Sequence, residues 1–279
     1  MAWNDVASNQ MVSYFDASTS GIPLLSGQSH FTTLPNANQC MDKTAMQAKY
    51  NLDATNLSTY TSLQLVPKSA WSNVSSCLTN QQWDVTNATH TTYRDGTIIP
   101  QHTGTDAAWA ALTTGAWCYP NNSSGNNGTY GKLYNWYAVA GIWNAASMSD
   151  SLLRKQFAPI NKAVPTSLYW YTFITCLGGE SVAGEKMKST SAVWTSPNIA
   201  NNTSGFSALP AGTRRHYDGA FVVFGSQATF WTSTQFVNAG GVLDPNQAVG
   251  YSMSNSFPNV GGYAFGMTAG KSVRLINQT

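Results

Sequence analysis

The amino-acid sequence predicts an α+β fold with short antiparallel strands, two short helices and long loops. Only 9% of the 279 residues are charged, against about 25% in an average soluble domain. Aromatic residues make up 12% of the chain, so it has ample apolar surface to bury. In the final third, short apolar runs alternate with Gly- and Asn-rich turns, which is typical of antiparallel strands.

Residues 1–80 are predicted to form a small N-terminal module. Short strands are expected within 9–15 and 63–67, and a helix over 41–50 with Asp42 as its N-cap. The apolar residues elsewhere in this module lack a regular period. Because so small a segment buries little surface by itself, we expect this module to attach the chain to an assembly.

Residues 81–279 are predicted to form one larger domain. A helix is expected at 106–112, where Thr105 or Asp106 lies near the N-cap position. A second helix is expected at 167–177. These are the two helices of the predicted fold.

Three further features of this domain complete the prediction. The stretch 133–139 is strongly apolar and aromatic, which fits either a strand or a buried helical turn. Gly178 and Gly179 are expected to end the second helix, because glycine tolerates a positive φ. Strands are predicted at 220–224, 229–233, 248–253 and 272–276.

Short motifs follow one another in a fixed order along the larger domain. They are TTYRDG at 91–96, AAW at 107–109, AWCY at 116–119, YGKLYNWYAV at 130–139, CLGGE at 176–180, AGEKMK at 183–188, SGFSALP at 204–210, RHYDG at 215–219, FWTST at 230–234 and SVR at 272–274. With this collinear set the sequence resembles the FISUMP (major paralogous domain) family over about residues 83–279. The resemblance implies a C-type-lectin-like fold, related to that of formylglycine-generating enzymes.

The N-terminal module resembles a leader module of virion proteins from phages of Bacteroidetes-type hosts. The similar stretches are NQMVSY at 9–14, NQCM at 38–41, AKYN at 48–51 and LVPK at 65–68. Together the two resemblances imply a structural protein of a phage virion, a head or tail fibre or decoration component. Its N-terminal module would contact other virion proteins, and its lectin-like domain would bind a host-surface protein or a glycan.

The expected location is therefore the virion, assembled in the host cytoplasm, with the protein in several copies. The N-terminus has neither the basic region nor the apolar run of a secretory signal, which favours this location. Two alternatives stay open. One is a bacterial cell-surface protein that acts as an adhesin, and the other is a purely architectural virion component that binds no receptor.

The sequence offers little for catalysis, and we expect no enzyme activity, no cofactor and no metal. A formal net charge of +2 with scattered Lys and Arg argues against nucleic acid as a partner. The lack of a run of about 18 apolar residues argues against a membrane span. Cys118 and Cys176 are expected to be buried structural thiols rather than a reactive pair. The tripeptide Asp-Pro-Asn at 244–246 is interpreted as a β-turn, because Ca²⁺ requires several acids and no second acid follows Phe221.

The segment 251–267 is the candidate recognition surface. Its large side chains alternate with Ser, Gly or Ala, and it contains no charged residue. The candidate ligand-binding residues are Tyr251, Met253, Asn255, Phe257, Asn259, Tyr263, Phe265 and Met267. Odd positions from 251 to 257 would share one face of a strand. Two interpretations stay open: rigid aromatic and adaptable amide side chains suit a binding surface, or the same face belongs to the core.

Overall fold

The structure, a computed structural model, describes residues 81–239 and 241–277, together with three short strands nearer the N-terminus. These strands are β1 (Ala2–Asp5), β2 (Gln10–Ser13) and β3 (Gln64–Pro67), and they form an antiparallel sheet in the order β1-β2-β3. β2 and β3 lie within the two segments predicted as strands. The helix predicted over 41–50 lies outside the described residues.

The chain divides into two compact units, Met1–Cys77 and Leu78–Thr279. The larger unit mixes short helices with short antiparallel strands, which is the α+β arrangement that the sequence predicts. Among the helices in the described part of the chain, none is both long and apolar enough to cross a membrane.

The described part of the larger unit contains more helices than the two predicted. They are α1 (Asp106–Ala110), α2 (Asn127–Tyr130), α3 (Trp136–Val139), α4 (Ala145–Ser149), α5 (Ser167–Cys176) and α6 (Glu180–Met187), with 3₁₀ turns at Pro120–Asn122, Ser124–Asn126 and Ser151–Leu153. α1 and α5 confirm the two predicted helices. Their N-caps are Thr105 and Thr166, whose hydroxyl oxygens accept backbone N–H groups of the first turn.

α6 was not predicted, because Gly178 and Gly179 were interpreted only as the end of the preceding helix. Both glycines have positive φ, of 104° and 94°. Gly179 is also the N-cap of α6, so the same pair ends α5 and begins the next helix at once. The other additional helices have four or five residues, which is too short for a helical period to be recognised in sequence.

The strands of the larger unit are β4 (Trp117–Cys118), β5 (Leu133–Tyr134), β6 (Lys162–Ala163), β7 (Thr213–Arg214), β8 (Phe221–Val222), β9 (Gln227–Val237), β10 (Leu243–Ser254), β11 (Val260–Gly266) and β12 (Ile276–Asn277). The long antiparallel sheet has the order β11-β10-β9. Short two-stranded pairs join β4 with β5, β6 with β12 and β7 with β8. β10 is therefore the central strand of this sheet. Whether its side chains are buried or exposed depends on what packs against each face.

Three of the four predicted strands overlap β8, β9 and β10. The prediction at 272–276 is wrong for most of its length, because only Ile276 belongs to a strand, while Ser272 makes an isolated parallel bridge to Phe230. β11 was not predicted as a strand, since its glycines lower the β-propensity of the segment. The ambiguous stretch 133–139 contains both alternatives, a strand and then a helix.

Asn135 explains that change from β5 to α3. Its Oδ1 accepts the backbone N–H of Ala138, which caps the helix, and also that of Ala116 on the neighbouring segment. The side chain is completely buried. An asparagine at this point therefore ends the strand and starts the helix within one residue.

Aromatic rings dominate the core beneath β9 and β10. The ring centroid of Trp170 on α5 lies 5.5 Å from that of Phe206 and 5.4 Å from that of Phe230. Phe173, also on α5, lies 5.5 Å from Phe206. All four side chains are buried. This cluster fixes α5 on one face of the sheet. Trp231, which follows Phe230 and points to the opposite face, belongs to a second buried cluster.

Several positively charged side chains are buried in the larger unit. The buried cationic side chains are Lys132, Lys188, Arg214, Lys271 and Arg274. Arg274 lies over the ring of Phe206 at 4.3 Å and donates to Asn87 Oδ1 at 2.9 Å and to the carbonyl oxygen of Phe206 at 2.5 Å. Arg214 donates to a carboxylate oxygen of Asp106 at 2.8 Å. Arg214 is therefore paired with an acid, whereas a ring face and neutral oxygens compensate the charge of Arg274.

Candidate functional site

Three of the eight candidate residues are buried, so for them the core interpretation is correct. Tyr251, Met253 and Met267 have exposed fractions of 6%, 2% and 4%. Tyr251 and Met253 alternate onto the face of β10 that α5 covers, and they belong to the same buried cluster as Trp170. Their side chains are removed from water and do not form part of an exposed surface.

The other five candidates lie at or near the surface. Phe257 and Tyr263 are 60% and 51% exposed, Asn259 is also exposed, and Asn255 and Phe265 are half-buried. They form two areas. We call residues 254–259 the recognition loop, and we call Tyr263 and Phe265 of β11 the aromatic sheet face. Phe265 packs against Trp231 of β9, which is completely buried.

A buried lysine holds the recognition loop. Lys188 directly follows α6, and its Nζ donates hydrogen bonds to the carbonyl oxygens of Ser254 at 2.6 Å, Asn255 at 3.2 Å and Phe257 at 2.8 Å. Burial lowers the pKa of Lys188 to about 8, while the charge of Glu185 acts in the opposite direction. The amine is therefore mainly protonated at neutral pH, and it can donate to all three carbonyls.

α6 also contacts the loop through its backbone. A Cβ atom added at Gly184 would lie 2.2 Å from the carbonyl oxygen of Asn259, so only glycine fits at this position. The next residue, Glu185, donates its backbone N–H to the carbonyl oxygen of Pro258 at 3.0 Å. The loop is thus fixed to α6 at several points, and it presents the exposed ring of Phe257 from an ordered backbone.

Glycines allow the rings of the aromatic sheet face to lie close to the strand backbone. The ring centroids of Tyr263 and Phe265 are 6.0 Å apart, and those of Phe265 and Trp231 are 6.1 Å apart, both pairs being edge-on. A Cβ atom at Gly261 would lie 2.5 Å from the Tyr263 hydroxyl, and one at Gly250 would lie 3.1 Å from the Phe265 ring. A larger residue at Gly261 would push the Tyr263 ring away from the sheet, and one at Gly250 would also meet the carbonyl oxygen of Phe230 at 2.7 Å.

Lys271 lies on the buried side of this face. Its Nζ is 3.4 Å from the ring centroid of Phe265 and 5.4 Å from that of Trp231. Only 1% of the residue is exposed, and burial lowers the pKa of its amine to about 7. Because the charge is covered by rings, the outer surface of the aromatic sheet face is uncharged.

The tripeptide 244–246 does not form the β-turn that we expected. It lies within β10, at an irregularity of the strand register between Leu243 and Ala248, because its proline has no N–H to donate to the sheet. The carboxylate of Asp244 accepts the backbone N–H of Asn246 at 2.8 Å. Within the described residues, no three His, Cys, Asp or Glu side chains come together as metal ligands.

The two cysteines of the larger domain lie in different environments. Cys118 is completely buried on β4, and burial raises the pKa of its thiol to about 12, although the neighbouring Arg214 acts in the opposite direction. Cys176, at the end of α5, is only half-buried and not buried as expected. Thiolate chemistry requires a lowered pKa, so Cys118 is unsuited to it.

Sequence reasoning did not single out the residues that support these surfaces. Gly184 and Lys188 lie in the motif AGEKMK, and a glycine inside a helix-forming stretch is a signal of close backbone contact. Lys271 carries no such signal, because a lone lysine before an apolar stretch is usually exposed.

Comparison with protein families assigns the larger unit. Residues 78–276 match the family model described as the Fibrobacter succinogenes major domain. Comparisons with curated proteins and with solved structures gave no match. The matched range covers well over half of the chain and contains the recognition loop and the aromatic sheet face. The chain therefore belongs to the Fibrobacter succinogenes major domain family, the family that its ordered motifs resemble.

Proposed function

We propose that this chain is a non-enzymatic structural protein of a phage virion, and that its larger domain has a C-type-lectin-like fold and binds an uncharged glycan of the host surface. The observation that carries this proposal is the aromatic sheet face, where Tyr263 and Phe265 lie close to a glycine backbone beside a well-anchored loop. The ordered family motifs support the fold, and the leader-like stretches of residues 1–80 support the virion.

Ring surface of this kind suits a sugar. One face of a pyranose ring presents C–H groups that pack against an aromatic ring, and a tyrosine adds a hydroxyl at the ring edge. Tyr263 and Phe257 have few torsions to restrict, so little conformational entropy is lost when they contact a ligand. The exposed amide of Asn259 adds hydrogen-bonding groups to the recognition loop.

The absence of charge in the segment 251–267 favours a neutral ligand. The amine of Lys271 is covered by the rings of Phe265 and Trp231, and that of Lys188 is buried beneath the loop backbone, where it donates to carbonyl oxygens. Recognition would then rest on stacking, apolar burial and amide hydrogen bonds. Each contact of this kind is weak alone, and several copies on one particle would raise the overall affinity through multivalency.

The chemistry of the cysteines supports a non-enzymatic role. Oxidation by a pair of thiols, the chemistry of the fold relative that generates formylglycine, requires accessible sulfur atoms with a lowered pKa. Cys118 has the opposite properties, because it is buried and its pKa is raised to about 12.

The proposal is tested on the full chain with a panel of immobilised glycans and on purified phage particles by mass spectrometry. Tyr263→Ala and Phe257→Ala should weaken glycan binding by about tenfold or more without changing the melting temperature. Tyr217→Ala is the matched control, because Tyr217 is a 64% exposed aromatic residue outside both surfaces.

Each alternative predicts its own result. If the protein is present in purified particles but neither the protein nor the particles bind any glycan or host cell, the protein is an architectural component. If the protein is found in the bacterial envelope and not in particles, it is a cell-surface adhesin.

A further inference from the structure

Three main-chain carbonyl oxygens of one short loop point at a single atom. Ser254, Asn255 and Phe257 direct their carbonyl oxygens to the Nζ of Lys188 at 2.6 Å, 3.2 Å and 2.8 Å. The lysine is fully buried, and its Nζ also lies 5.8 Å from the ring centroid of Trp194. The amine has three donors, one for each of these oxygens.

Carbonyl oxygens brought together in this way repel one another unless a cation lies between them. In many proteins a bound Ca²⁺ fulfils this role, with main-chain oxygens among its ligands. Here the ammonium group of Lys188, at the end of a flexible side chain, occupies that position. The stem comes from the residue after α6, and α6 itself contacts the loop through Gly184 and Glu185.

We propose that Lys188 acts as a tethered cation that organises the recognition loop in the position that a bound metal ion would otherwise take. The shape of the loop then depends on this amine, and the presentation of Phe257 needs no metal ion. Lys188 is a positioning residue, because its Nζ contacts the loop backbone and leaves the exposed ring surface free. The consequence for ligand binding rests on the proposed function, whereas the effect on the loop does not.

The first test measures hydrogen exchange of the full chain. Lys188→Met removes the charge and keeps most of the stem, and it should accelerate exchange in peptides covering 254–260 by roughly tenfold or more, because hydrogen bonds to charged groups are strong. The amide of Asn255, which donates to Ser226, should also lose protection. Lys186→Met is the matched control, since the Nζ of Lys186 donates to Leu177 outside the loop.

The second test separates a tethered cation from simple packing. Lys188→Ala leaves space below the three carbonyls, and added ethylammonium should restore slow exchange of 254–260, whereas ethanol, a neutral molecule of similar size, should not. EDTA should leave exchange of the wild-type loop unchanged. If the loop exchanges equally in Lys188→Met and wild type, or if ethylammonium and ethanol act alike on Lys188→Ala, the proposal is wrong.

These outcomes are independent of the glycan experiment. If the loop depends on Lys188 but the protein binds no glycan, this inference holds and the proposed function is wrong. If Lys188→Met changes neither glycan binding nor exchange of the loop, this inference is wrong and the proposed function holds.

Discussion

The ring of Tyr251 stacks on the indole of Trp170, with ring centroids 4.9 Å apart and an interplanar angle of 13°. This contact joins β10 to α5, and the Tyr251 hydroxyl also donates to the carbonyl oxygen of Ser167 at 3.3 Å, in the first turn of that helix. Tyr263 belongs to the same uncharged segment but lies on β11 with half of its surface exposed. The two tyrosines therefore carry different functions, one in stability and one in the candidate binding surface.

Replacing each tyrosine with alanine should separate these roles. Tyr251→Ala removes a buried ring and is expected to lower the free energy of unfolding by about 3–5 kcal/mol. Tyr263→Ala should change it by less than about 0.5 kcal/mol. Denaturant unfolding of both variants measures the difference, and equal losses of stability would contradict the assignment of Tyr263 to the surface.

The contact between α6 and the recognition loop should be sensitive to one added methyl group. Gly184→Ala places a Cβ atom 2.2 Å from the carbonyl oxygen of Asn259, and the loop must shift, which should lower the free energy of unfolding by about 1–3 kcal/mol. Gly128→Ala is the matched control, because Gly128 is also helical and its added Cβ would meet nothing within 4 Å. Thermal unfolding compares the two variants, and a Gly184→Ala protein as stable as the control would argue against this contact.

Lys271 should make stability depend on pH in the alkaline range. Burial lowers the pKa of its amine from 10.5 to about 7, so between these values the unfolded chain binds a proton that the folded chain does not. The free energy of unfolding therefore rises with pH between about 7 and 10.5. Below about pH 7 the folded protein carries the full cost of the buried charge. Lys271→Met removes that cost and should raise the free energy of unfolding by about 1–3 kcal/mol near neutral pH.

The comparison with wild type isolates this group from others that titrate in the same range, such as Lys188. The advantage of Lys271→Met should be greatest below about pH 7 and should shrink as the pH approaches about 10. Urea unfolding at several pH values measures both proteins under the same conditions. An advantage that stays constant across this range would show that the Lys271 amine is not the titrating group.

Local features of the chain were accessible from sequence because they depend on neighbouring residues. Thr105 and the residues after it specify α1 through a cap and a short apolar run, and both are visible in the linear order. The order of the motifs also assigned the family, since it needs no knowledge of contacts. The aromatic content of 12% predicted ample apolar surface to bury for the same reason.

The composition and motif order of this protein thus determined its α+β class and its family, whereas the tertiary structure decided which residues of 251–267 face water. Tyr251 and Tyr263 stand in the same alternating pattern, yet α5 covers only the face to which Tyr251 belongs. Lys188 and Phe257 are 69 positions apart, and only the packing of α6 against the loop brings them into contact. Burial and long-range hydrogen bonds depend on which element covers which face, and the period of one strand contains no information about its cover.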